Sequence, residues 1–195
     1  MSRYFVFASA LPAVSFDDSS AAFSCEDFLH MAEEYLTEDD CTKLRKISLD
    51  GACLPAAEFA AGEEPFVVPS DPVALFYMWD TQLRNEIALR RGGMRSGFQE
   101  KYVAAVDGSL PQETVRCFEA ENPWSKARAA DRLRWQKLEE LSANHNYDWE
   151  YILLYYLKIQ LLAKWAERTP ERGKKNFEAA VRSIYAACGS GLEKE

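Results

Sequence analysis

The sequence predicts an all-α fold, a bundle of about eight helices with at most a minor strand, and three observations carry that expectation. Helix-start signals recur along the chain, each a hydroxyl, amide or carboxylate side chain followed by proline or by an acid three residues on. Between those starts the apolar residues return at three- and four-residue steps, the spacing that lays one stripe along a helix. Alternation of period two is sustained nowhere, which argues against a sheet of any size.

Taken in order, the segment Met1–Pro12 carries an apolar run of about eight residues after Arg3, at the short limit for the core of a signal peptide. Asp17 and Asp18 follow closely, so the run reads as a buried first segment. It and Phe66–Val68 are the two places where a strand would fit. Ser24-Cys-Glu-Asp27 is a variant capping box and opens a helix with Phe28, Met31, Ala32 and Tyr35 on one side. Thr37-Glu-Asp-Asp40 repeats the device for a short helix through Leu44 and Ile47, closed by Asp50-Gly51. Residues 51–71 mix alanine and acids with Gly51, Pro55, Gly62, Pro65 and Pro69, and read as a long loop or linker with room for a helical turn.

Asp71-Pro72 starts a long helix that runs to Arg91 and stops at Gly92-Gly93, with Arg90 and Arg91 at the negative end of its dipole. A further helix is expected over Gly97–Val106, and another from Ser109-Leu-Pro111-Gln112 to Glu121. Asn122-Pro123 starts the next, which reaches Ser142 with Leu133, Leu138 and Leu141 on a common stripe. Asn144-His-Asn146 breaks it, and Asp148 caps a helix over residues 149–166 in which 14 of 18 residues are apolar. Thr169-Pro170 starts the last helix, expected to end at Gly189 and to leave residues 190–195 frayed. The whole, residues 1–195, reads as one helical domain with a loose connection at 51–71; sub-units at 1–108 and 109–195, a pseudo-repeat, are a further division.

Composition removes several function classes. Apolar residues are 48% and aromatics 13% of 195, enough for a real core, so intrinsic disorder is excluded. The net charge of −8 argues against a general nucleic-acid binder, whose affinity comes from neutralising phosphates. The charge is uneven: residues 1–71 hold 14 acids and 4 bases, the rest 17 acids and 19 bases. Five scattered cysteines without a C-x-x-C pair fit reduced thiols of a cytoplasmic protein better than a disulfide framework. The apolar segment 149–166 contains Glu150, Lys158, Gln160 and Lys164, too many polar groups for a membrane span, and reads as the centre of the bundle. Its five aromatics, Trp149, Tyr151, Tyr155, Tyr156 and Trp165, keep a contact surface open as the other reading.

No motif for bond-making chemistry stands out. His30 and His145 are the two histidines; they lack the paired ligands of a zinc site and the neighbouring nucleophile of a hydrolase. The acids sit in helix-start positions, where capping accounts for them. Arg172-Gly-Lys-Lys175 lacks the glycine and hydroxyl residue of a phosphate loop. Arg90-Arg-Gly-Gly-Met-Arg95 reads as a helix end with complementary charge, or as a basic protein-binding patch. The basic run Lys126, Arg128, Arg132, Arg134, Lys137 interleaves with Trp124 and Trp135, yet Asp131, Glu139 and Glu140 dilute it, so it reads as a solvated helix face with ion pairs. The expectation is therefore a protein that is not itself an enzyme, with no catalytic, cofactor-binding or metal residues and no small-molecule substrate.

The stretches Tyr4-Phe-Val-Phe-Ala-Ser-Ala-Leu-Pro-Ala-Val-Ser-Phe-Asp-Asp18, Leu133-Arg-Trp-Gln-Lys-Leu-Glu-Glu-Leu141 and Asp148–Trp165 together resemble an uncharacterised bacterial family encoded among V/A-type ATPase subunits. The resemblance runs through most of the chain and rests on helix patterns. It implies a protein similar to a shortened form of the C-type subunit of these ATPases, an all-α adaptor that seats the central stalk on the membrane rotor ring. Sliding the chain by 74 residues lays Tyr77, Leu83, Arg84, Ile87 and Arg90 on Tyr151, Leu157, Lys158, Leu161 and Lys164, an echo of the repeated units of that adaptor. The role so implied is a non-catalytic accessory or adaptor subunit that contacts stalk or ring subunits. It would be cytoplasmic and peripheral to the inner membrane through protein contacts, without nucleic acid or a span of its own. An assembly or regulatory factor that binds those subunits transiently is the alternative, and an enzyme on an unfamiliar helical scaffold the third reading. The residues expected to make protein contacts are Arg84, Arg90, Arg91, Arg95, Trp149, Tyr151, Tyr155 and Trp165.

Overall fold

The computed structural model describes residues 3–17, 23–49, 70–91 and 107–189. Among them are eight helices and no strand. In chain order these are α1 (Arg3–Ala10), α2 (Cys25–Tyr35), α3 (Glu38–Lys46), α4 (Pro72–Arg90), α5 (Leu110–Phe118), α6 (Pro123–Ser142), α7 (Trp149–Ala166) and α8 (Pro170–Gly189). The expected all-α architecture holds, but eight expected and eight observed helices are not the same set. The opening segment, expected as a buried stretch, is helix α1; the expected helix 97–106, the connection 51–69 and the candidate strand Phe66–Val68 lie outside the described residues.

Local chemistry accounts for most boundaries. Both capping boxes form: the Ser24 and Thr37 hydroxyls accept from the N–H groups of Asp27 and Asp40, whose carboxylates accept in return from the cap residues' N–H groups. Asp71 and Asn122 cap α4 and α6 ahead of a proline, and the Asp148 carboxylate accepts from the Tyr151 N–H to start α7. Two helices stop sooner than expected. The chain turns extended at Ile47 instead of continuing to Asp50, and α5 ends at Phe118, with Glu119 as its cap, instead of Glu121. Helix α1 has no acid in its first turn. Packing holds it instead: Phe7 is fully buried against Phe28, with ring centres 5.4 Å apart.

The centre of the bundle is α7. It packs against α6 most extensively and also against α1, α2 and α4, so early and late parts of the chain meet on it. Ile152, Leu154, Leu157, Ile159 and Leu161 are sealed from solvent. Each such side chain contributes roughly 1.5–3 kcal/mol by leaving water. Phe28 of α2 stacks on Tyr156 and Tyr155 of α7 with centroids at 4.8 and 5.8 Å. No helix among the described residues is long and apolar enough to cross a membrane.

Helix α8 breaks the pattern. Residues 171–180 and 182–185 are exposed and Val181 is half-buried. Phe177, Ile184 and Tyr185 are 70%, 62% and 74% exposed. The helix begins on Thr169, whose hydroxyl accepts from the Arg172 N–H at 3.2 Å, and then runs free of the packed layers.

Candidate functional site

The most charged feature of the interior is a five-residue chain of ion pairs that ties α4, α6 and α7 together. Asp80 and Asp131, each nearly sealed from solvent, flank Arg134. Arg134 Nε donates to Asp80 Oδ1 at 2.6 Å and Nη1 to Asp131 Oδ1 at 2.6 Å. Arg84 Nε closes on Asp80 Oδ2 at 2.6 Å and its Nη2 reaches the Leu49 carbonyl at 3.2 Å. Lys164 Nζ, from α7, sits 2.9 Å from Asp131 Oδ2. Burial alone would push the Arg134 guanidinium down, but Asp80 and then Asp131 outweigh it and hold the group firmly protonated. Two acids and three bases thus satisfy one another, the condition under which buried charge is tolerated.

This corrects two sequence expectations. The acids are not all at helix starts, since Asp80 and Asp131 lie in helix interiors facing inward. The basic run of α6 is paired, as expected, through Arg128 and Arg132 to Asp17 and Lys137 to Glu140. It is not a solvated face, because Arg134 points into the bundle.

Two glutamine amides act as backbone clamps. Gln160 of α7 accepts from the Leu49 N–H at 2.6 Å and donates to the Ile47 carbonyl at 2.9 Å. Gln82 of α4 accepts from the Asp107 N–H at 3.0 Å and donates to the Asp107 carbonyl at 2.8 Å. The Asp107 carboxylate in turn accepts from the Trp79 indole at 3.2 Å and from the Ser109 N–H and hydroxyl at 2.9 and 2.7 Å. Burial pushes the Asp107 carboxyl up, and those donors more than reverse it, leaving it below the usual aspartate value.

The expected contact residues are dispersed. Arg84 is engaged with Asp80 and the Leu49 carbonyl. Arg90 donates to the Pro111 carbonyl at 2.8 Å and so ties α4 to α5, while Arg91 is the exposed cap of α4. Arg95 lies outside the described residues. Trp149 and Tyr151 are half-buried at the start of α7 beside Tyr4 and Tyr147. Tyr155 belongs to the core: its hydroxyl donates to the Pro12 carbonyl at 2.7 Å, and burial pushes its ionisation far above the ordinary tyrosine value. Its burial removes it from any surface of the folded chain.

Trp165 packs against Trp124, which lines an open groove of about 820 Å³ between the C-terminal end of α7 and the start of α8. The groove is lined by Trp124, Lys164, Glu167, Arg168, Arg172 and Asn176 among others. Trp124 is half-exposed and stands edge-on to Trp165 at 5.4 Å. The Arg168 guanidinium lies 4.4 Å from the Trp165 ring centre, and Arg128 approaches both tryptophans at 5.5 and 5.6 Å. The Trp165 indole N–H meets no acceptor among the described residues. Sequence reasoning finds Trp165 but misses Trp124, Arg168 and the exposed stripe of α8. The signal is present in the Phe177, Ala180, Val181, Ile184 spacing, which by itself reads as one more packed helix.

His145, Asp148 and Glu150 each offer a ligand atom within 4.8 Å of the others. Asp148 is already committed on both oxygens, to the Tyr151 N–H and to His145 Nδ1 at 2.8 Å. The cluster also sits at the positive end of the α7 dipole, where a cation is disfavoured. Capping accounts for it. Cys25, Cys41 and Cys117 are free thiols, and burial pushes all three up, away from the nucleophilic thiolate.

A family model described as a protein of unknown function (DUF2764) matches residues 110–187. That span runs from α5 into α8, and it includes Asp131, Arg134 and Lys164, the groove, and the exposed stripe. No curated protein and no solved structure matches the chain.

Proposed function

We propose that this chain is a non-catalytic helical adaptor of a V/A-type proton- or sodium-translocating ATPase, similar to the C-type subunit and linking rotor ring and central stalk at the cytoplasmic side of the membrane. The observation that carries the reading is a division of roles among side chains. The interior charges are spent on tying three helices together, while large apolar side chains are presented outward on α8. A close-packed core cross-braced in this way transmits force without yielding, which an adaptor in a rotating assembly requires. The resemblance of the N-terminal and central stretches to a family encoded among such ATPase subunits supplies the identity of the assembly.

The test is isolation of the tagged full chain from the source cell at physiological salt, followed by quantification of rotary-ATPase subunits. Stoichiometric retention with stalk or ring subunits is the expected result. Association that disappears once the complex is assembled would instead make the chain an assembly factor, and recovery of neither group of subunits would overturn both readings.

A further inference from the structure

We infer that the side of α6 bearing Arg128, Arg132 and Trp135 is a docking slot for a partner segment in which phenylalanine stands beside a carboxylate, and that the chain's own Phe16 and Asp17 fill it as a built-in competitor. The inference is independent of the adaptor reading. Residues 128, 132 and 135 recur at four- and three-residue steps, so they share one side of α6. The guanidinium carbons of Arg128 and Arg132 lie 5.3 and 5.1 Å from the centre of the Phe16 ring, and the Trp135 ring lies at 5.8 Å. One buried ring thus meets two cations and an indole. Asp17 Oδ1 accepts from Arg132 Nη2 at 2.6 Å and stands 3.5 Å from Arg128 Nη2. Among the described residues it is the one carboxylate that either arginine meets.

The built-in segment is held lightly. Residues 11–17 are neither helix nor strand, and Phe16 is the one residue among them that is buried. Leu11 and Val14 pack at the rim of the core, and the Pro12 carbonyl accepts from the Tyr155 hydroxyl at 2.7 Å. The Asp17–Arg132 pair is 63% and 46% exposed, and ion pairs so open to water are weak. Lifting the segment leaves two like charges one helical turn apart beside an uncovered indole, which an aromatic ring carrying an adjacent carboxylate would satisfy together. A competitor in trans must overcome the tether of the built-in segment, and the surface offers it the means. Trp124, whose ring Arg128 meets at 5.5 Å, is 54% exposed, so a partner that also covers Trp124 gains contact that Phe16 and Asp17 do not make. A second copy of this chain brings the same segment and gains nothing over the one already seated. The occupant is therefore a different protein.

The experiment first empties the slot in the full chain with Phe16→Ser and Asp17→Ser together, and titrates it with the fluorescein-labelled, amidated peptide Ala-Val-Ser-Phe-Asp-Asp. The double variant should bind the peptide at least about tenfold more tightly than the parent, because the tethered competitor is gone. Asp17→Ser alone keeps the buried ring and the fold, and should bind at least about threefold more tightly than the parent. Binding should weaken as salt rises from about 0.05 to about 0.5 M. Peptides with alanine for the phenylalanine, or with asparagine for both acids, should lose at least about tenfold. Absence of binding to both variants, equal binding to parent and variants, or equal binding of the control peptides overturns the slot. The photoreactive residue p-benzoylphenylalanine placed at Trp124, in the chain expressed in its own cell, then reads the occupant by mass spectrometry of crosslinked peptides. A segment of another protein with phenylalanine beside an acid is the expected capture. A segment of a second copy of this chain, or one without that pair, overturns the partner.

Discussion

Replacing Arg134 by methionine tests whether the buried charges hold the bundle together. Methionine keeps the unbranched length and most of the volume, so the change removes charge and two hydrogen bonds with little cavity. Arg134 is the bridge: its side chain is 11% exposed, and the Asp80 and Asp131 side chains it joins are 4% and 2% exposed. Removing one partner of a buried pair costs about 3–5 kcal/mol, because a charge is left in low dielectric without compensation. Here Asp80 keeps Arg84 and Asp131 keeps Lys164, so neither carboxylate is fully stranded. The expected loss is therefore at the lower end, about 3 kcal/mol. With a urea slope of about 2–3 kcal/mol/M, the unfolding midpoint falls by about 1–1.5 M. Asp131→Asn completes the cycle. Combined with Arg134→Met it should cost at least about 1 kcal/mol less than the two single losses added, since both remove the same contact. A midpoint within about 0.4 M of the parent, or strict additivity, would refute the claim that these side chains act as one network.

The remaining predictions concern other polar groups of the interior and the free helix. Burial pushes the Lys158 ammonium down, against Glu139, and it rests 3.2 Å from the Ser142 hydroxyl and over the Trp135 ring. Lys158→Met should leave the melting temperature unchanged or raise it by a few degrees. Because the folded value lies below the unfolded value of about 10.4, that advantage shrinks as pH rises toward it; a clear loss of stability at neutral pH would count against this. Asp107 is held below the ordinary value of about 3.9, so its contribution is complete above that pH and is lost as pH falls through the lower folded value. Urea midpoints of the parent and Asp107→Asn, followed from about pH 6 down to about pH 2.5, should therefore converge only at the acid end. Gln160→Leu strands the Leu49 N–H and the Ile47 carbonyl at about 1–3 kcal/mol each, and should speed hydrogen exchange at Leu49 well beyond that of the α7 amides. In the free chain the α8 amides should exchange orders of magnitude faster than those of α7, a contrast that equal protection in the two helices would contradict.

The boundaries legible in the sequence are those whose chemistry is complete within four residues. Ser24 with Asp27, Thr37 with Asp40, Asp71 before Pro72, Asn122 before Pro123, and Asp148 all form the caps their spacing predicts. Helix α1 is not legible because its supports are distant. Phe7 needs Phe28, and the Tyr4 hydroxyl reaches Asp40, 36 residues away. The same limit governs the interior. Asp131 and Arg134 are three apart and announce a pair, but their inward orientation is fixed by Asp80, 54 residues from Arg134. Gln160 looks like a blemish in an apolar helix; its partners lie more than 110 residues earlier. The α8 stripe is visible as a period, yet a period says only that one side of a helix wants cover. Which surface supplies that cover is a property of the assembled molecule.

Helix α7 shows how these polar residues and the apolar majority divide the task of specifying one structure. A helix apolar on nearly every side gains similar burial in many rotations about its axis, since the hydrophobic effect has no direction. Its polar members remove that freedom. Gln160 fits only the backbone groups at Ile47 and Leu49, Lys164 only the Asp131 carboxylate, and Lys158 only the end of α6. A rotation of one residue, about 100°, would break all three attachments at once and leave Asp131 with an uncompensated share of buried charge. The same reasoning applied to α8 gives the opposite result. Among the described residues its stripe has no directional tie to the body beyond Thr169 and the Arg172–Glu167 pair at its first turn. The chain that fixes α7 by internal polar contacts therefore leaves the orientation of α8 to whichever surface covers Phe177, Ile184 and Tyr185.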